Sequence, residues 1–246
     1  MSRFSDLLLS VSIEPTSLRV VYPYLAGALT LLVTVFYHAA LKRRYGDAKG
    51  TWLYFVAFFA LVTAVPLLLI VLLERNPLRV LSGLGLSWGA YRIGLILVAA
   101  FIPISVVIGN VVSKTEEMQA WYPFSKQVCA RTGSFIVYEI GYLLLYYTAW
   151  EFLYRGILFF PLVNSLGFLP AAALTTALST LHHIGHPRSE IFGALLGGIL
   201  FALIAAATRS LLYAIVIHAM IGIVNDSFIY ARTDRFARIS GSGTRD

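Results

Sequence analysis

Residues 52–73 read WLYFVAFFALVTAVPLLLIVLL, an apolar run without one charged side chain. A helix that crosses a bilayer needs about 20 such residues, and in lipid the helix also satisfies its own backbone hydrogen bonds. Working outward, comparable runs occupy 18–41, 92–112, 133–160, 166–181, 191–207 and 211–230. Apolar residues make up 59% of the chain and charged residues 13%, with a mean hydropathy of +0.79. A soluble domain carries roughly a quarter charged residues. The fold class is therefore all-α: a polytopic membrane helix bundle of about seven spans, or eight if a half-span is added. A single membrane domain covers 1–246, with the bundle over 18–231 and a disordered polar tail over 232–246.

The segments between the runs carry their own signals. Pro66 predicts a kink in the second span. Residues 74–92 hold three arginines, Pro77 and several glycines, and read as a loop with a short interfacial helix. The polar stretch 113–131, with Trp121, Tyr122 and Pro123, fits a membrane-interface belt. Gly193 and Gly197 stand at the spacing that lets helices approach closely. The formal charge of +7 reflects Lys and Arg on the cytoplasmic side, not nucleic-acid binding. Placing Lys42, Arg43 and Arg44 inside puts the N-terminus outside and the arginine-bearing tail inside. The first dozen residues are weakly amphipathic, with no cleavable signal evident. The lone Cys129 excludes an internal disulfide and any multi-cysteine metal cluster.

Ionisable side chains within spans are costly and by default point to function. His38 reads as an interfacial histidine, and Glu139 is as readily structural as functional. Three later stretches are richer. Glu151 and Arg155 lie four apart on one helix face and can pair. His182, His183 and His186 cluster where the fifth span meets a turn, followed by Glu190 at the start of the sixth, where capping is the plain alternative. His218 lies in the seventh span. Asn225 returns to within about 20° of it around the helix, and Asp226 lies about 80° away. A carboxylate and a neutral imidazole can deprotonate a water, while a second imidazole and an amide stabilise the resulting oxyanion. Glu151, His183 and His218 are also side-chain types that hold a hydrolytic zinc ion, although the sequence H-E-x-x-H is absent.

These stretches resemble the CAAX-protease and bacteriocin-processing (CPBP, or Abi) family of intramembrane proteases. Its hallmarks are Glu-Glu-x-x-x-Arg, Phe-x-x-x-His and His-x-x-x-Asn/Asp on three late helices, and the block order matches over 138–230. Trp150 stands in the place of the first motif glutamate, and Glu151 in that of the second. His183-Ile-Gly-His-Pro, followed by Glu190, is similar to a family variant reading His-x-Gly-Lys-Pro, which selects His183. A register with Leu178 in the Phe place selects His182. Gly222 stands where Asn is expected, and the variant points to Asp226 where helix geometry points to Asn225. The resemblance implies an endopeptidase in which Glu151 activates water with His183, Arg155 orients Glu151, and His218 with Asn225 or Asp226 stabilises the oxyanion. It further implies a membrane-embedded or lipidated protein or peptide as substrate, and small size favours a bacterial plasma membrane. The alternative is an inactive relative or a small transporter that binds without cutting, with Trp150 in its favour.

Overall fold

A computed structural model describes residues 18–241, with side chains through 233. The first dozen residues lie outside that range. The described chain is helical with no strand. Helix α1 (Leu18–Thr34) and α2 (His38–Tyr45) meet at a 49° bend, and α3 runs Asp47–Leu73. A short α4 (Pro77–Gly83), capped by the Asn76 side chain, precedes α5 (Tyr91–Val112). The small α6 (Glu116–Trp121) leads to α7, residues 132–166. Then follow α8 (Phe168–Leu181), α9 (Arg188–Thr208) and α10 (Leu212–Gly241).

Four helices are long and apolar enough to cross a membrane: α3, α5, α9 and α10 to Thr233. A fifth counts if the bent pair α1–α2 is one span. These four or five are the candidates among the described residues by length and composition alone, and the all-α membrane bundle expected from the sequence is what they build. Two of the anticipated spans fall outside that set. Helix α8 has 14 residues, about 21 Å at 1.5 Å each, against a hydrocarbon core of about 30 Å. Helix α7 carries Glu139, Glu151 and Arg155, and from Phe152 to Ile157 it is buried by protein on every side. Its first half, by contrast, exposes Ile136, Val137, Ile140 and Leu144 at 52–59%. Lipid is met on α5 as well, where Leu95, Ile96 and Val107 are 60–69% exposed.

Local chemistry explains the irregularities. Pro66 lacks an N–H and crowds the preceding turn. In place of a sharp kink, α3 widens into a π-turn at Ala60–Ala64 just before it. Two more π-turns, Tyr142–Tyr147 and Phe152–Phe159, flank Glu151 in α7. Such turns recur at functional sites. The close helix approach is made by Gly198, whose added Cβ would lie 2.7 Å from Thr176 of α8. Gly193 faces open space, so the expected Gly193–Gly197 contact is corrected to the neighbouring position. At the C-terminus α10 continues to Gly241, through ten positions anticipated as part of a disordered tail. Arg232 explains the start of that extension: it bonds Asn110 Oδ1 at 2.8 Å and Ser113 Oγ, both at the end of α5. Residues 242–246 lie outside the described range.

Candidate active site

The buried second half of α7 supplies the centre. Glu151 is fully buried on α7, and Arg155, one turn on, is 2% exposed. Arg155 Nε lies 3.3 Å from Glu151 Oε2, the pairing anticipated from their spacing. His218 of α10 approaches from the other side, its Nδ1 2.6 Å from Glu151 Oε1. An ionised carboxylate only accepts, so Nδ1 carries the hydrogen and Nε2 is left free. Phe201 of α9 stacks on the imidazole at 4.7 Å, and its ring also lies beneath the Arg155 guanidinium. Arg155 further donates to the Gly198 carbonyl. Glu151 is thus sealed behind His218 and Arg155. It reaches His218 and not His183, which corrects the pairing expected from the sequence.

A cavity of about 300 Å³ opens in front of this pair, and Glu151 does not line it. Its polar wall is formed by Arg155, His183, Glu190, His218, Asn225 and Asp226, and its apolar wall by Tyr146, Tyr147, Trp150 and Phe201 among others. The carboxylate that faces the cavity is Glu190, in the first turn of α9. His183 sits in the turn after α8. Its Nδ1 donates to the Ser179 carbonyl at 2.7 Å, and Nε2 lies 3.6 Å from Glu190 Oε1. Burial holds the His183 imidazole below its ordinary pKa, with Glu190 opposing. Glu190 Oε1 also receives Tyr122 Oη at 2.6 Å and His186 Nδ1 at 3.0 Å, while Oε2 is buried without a partner. His186 is stacked on Trp121 at 4.4 Å.

His182 points away: its Nδ1 meets the Tyr154 hydroxyl at 2.9 Å and it does not line the cavity. Of the two histidines, His183 is the one that lines the cavity. Asn225 and Asp226 both reach the cavity, Asn225 Nδ2 donating to Asp226 Oδ1 at 3.2 Å. Glu139 is buried near Asp226 but outside the cavity wall. Glu151, His183 and His218 do not converge on one point, and among the described residues no group of three or more His, Cys, Asp or Glu is arranged to hold a metal ion. His38 plays the plain part expected of it, bonding Thr51 at 3.3 Å among aromatic rings.

Sequence reasoning missed Tyr122. The stretch 113–131 fits an interface belt by composition, yet Tyr122 and Phe124 are buried and Tyr122 lines the cavity. The N-terminal half holds them there. Lys42 donates to the Phe124 carbonyl at 2.7 Å, and Asp47 accepts from Ser125 and the Gln127 N–H. On the far side Glu117 accepts the Arg188 N–H. A polar segment followed by Tyr-Pro-Phe gives no periodic signal, so only its tertiary partners reveal it.

Trp150 fills the space beside these groups, its ring 4.8 Å from His183 and 4.9 Å from His182. Residues 132–224 match the family model described as Type II CAAX prenyl endopeptidase Rce1-like. No curated protein and no solved structure matches the chain.

Proposed function

With residues 132–224 belonging to the CAAX-protease (CPBP) family, we propose that the chain is an integral-membrane endopeptidase that hydrolyses a membrane-delivered protein or peptide. The observation that carries this reading is the arrangement around one cavity: a sealed Glu151–His218 pair on one wall, and Glu190 with His183 on the other. Glu190 takes the proton of an attacking water through its free Oε2, replacing the glutamate that Trp150 displaces. His183, with Nδ1 committed to Ser179, offers Nε2 to the same water. The water oxygen bonds to the scissile carbonyl carbon, and the electron pair moves onto the carbonyl oxygen. His218, held by Glu151, stabilises that oxyanion. Collapse breaks the C–N bond, and the proton held by Glu190 passes to the leaving nitrogen. Arg155 keeps Glu151 ionised and fixed.

On this reading the substrate is a lipidated or membrane-embedded chain that reaches the cavity from the bilayer, and the chain's small size favours a bacterial plasma membrane as the setting. Purified protein in vesicles, offered a quenched fluorogenic peptide ending in a prenylated CAAX tail, should release fluorescence. Glu190→Gln and His218→Ala should each abolish the signal. Full cleavage by both variants would sink the mechanism. A second reading, binding without cutting, is favoured by the Trp150 indole seated against the histidines, and predicts retention of the intact peptide by the wild type.

A further inference from the structure

The third motif of the family places a side chain bearing an amide or carboxyl four residues after its histidine, and here that position is Gly222. The glycine is not a loss of function by drift; the space is taken. A Cβ built on Gly222 would lie 1.6 Å from Tyr147 Oη and 2.7 Å from its Cζ. The Tyr147 hydroxyl, delivered from the π-turn of α7, occupies the volume from which a residue-222 side chain would emerge. Four residues on from His218, that volume lies on the same face of α10, about 40° around the helix. The Tyr147 ring is 4.8 Å from the His218 ring, the residue is 5% exposed, and both line the cavity.

We infer that Tyr147 is a catalytic residue of this protein, its phenolic O–H donating to the oxyanion beside His218 in place of the missing amide. A tyrosine hydroxyl serves in oxyanion holes as an amide does, provided its position is fixed before the reaction. Here the ring is held by Tyr142, tilted against it at 4.4 Å, and by the His218 imidazole. Tyr147 and Gly222 form one unit, because the hydroxyl needs the glycine beside it. The role rests on the protease reading above.

The test uses the full chain in vesicles with the same prenylated CAAX peptide. Tyr147→Phe removes one oxygen and should lower kcat by about a hundred- to a thousandfold with KM unchanged, the cost of one oxyanion donor. Tyr147→Ala frees the space, and adding Gly222→Asn should restore at least about tenfold of the rate that Tyr147→Ala loses, by supplying a donor in the vacated volume. A structural role for the ring predicts no such rescue. A Tyr147→Phe variant with wild-type kcat, or a double variant no faster than Tyr147→Ala, overturns the inference. Gly222→Ala in the otherwise wild-type chain supplies a readout without catalysis: its melting temperature should drop, and an unchanged one would show that the hydroxyl is not beside Gly222. A wild type that leaves the peptide intact overturns the CAAX-protease reading instead, and the Gly222→Ala melt then judges the Tyr147 placement by itself.

Discussion

Two glutamates lie beside the same cavity in different surroundings, Glu190 on its wall and Glu151 behind His218 and Arg155. Glu151 is sealed, one oxygen on His218 and the other beside Arg155. Glu190 faces the cavity with Tyr122 and His186 on one oxygen and nothing on the other. Oε2 of each accepts no hydrogen bond, so what differs is access: Glu151 is shut behind His218 and Arg155 and orients them, whereas Glu190 lines the cavity and can accept a proton there. The pairing of sealed and open carboxylates divides positioning from chemistry, and the division follows from burial and partners, not from residue type.

The division is broken most directly at Glu190. Glu190→Gln should cost about a hundred- to ten-thousandfold in cleavage rate, the range of a positioned general base, while the protein melts near the wild-type temperature. Cleavage that survives would return the base to another group. At Glu151 the damage should fall on stability as well. Glu151→Ala leaves the Arg155 guanidinium buried and unpaired, an effect of about 3–5 kcal/mol, read from thermal unfolding in detergent. Adding Arg155→Met should recover part of that loss, since the uncompensated charge is gone.

A smaller effect belongs to Tyr122→Phe, which keeps the ring that packs 5.0 Å from Phe124 but removes the donor to Glu190. Hydrogen bonds to charged groups are worth about 1.5–3 kcal/mol. Cleavage should fall about tenfold or somewhat more. An unaltered rate would detach Tyr122 from the chemistry. The smallest effect lies at His182, which faces Tyr154 away from the cavity. His182→Gln should cleave like the wild type. Burial, reinforced by His183 and His186, holds this imidazole down at about 4, against 6.5 ordinarily. The unfolded chain therefore binds the proton first, so stability is full above about pH 6.5 and declines as pH falls toward 4. Melts across that range should decline less steeply in His182→Gln than in the wild type.

Much of this was legible in the chain itself. Long apolar runs forced an all-helical membrane protein, because lipid offers backbone groups no other partners. The i,i+4 spacing of Glu151 and Arg155 fixed their pairing, and the histidines announced themselves as ionisable groups among apolar ones. What spacing along one helix does not encode is which side chains on different helices meet. That Glu151 turns to His218, that Glu190 and not Glu151 faces the cavity, and that Tyr122 crosses from an unmatched segment are facts of packing. The burial of the second half of α7 by its neighbours is likewise invisible to hydropathy. Composition settles what solvent a chain must live in, because transfer energy sums over residues. The site is decided by contacts between residues far apart in sequence, such as Tyr147 beside Gly222, and only the tertiary structure brings those together.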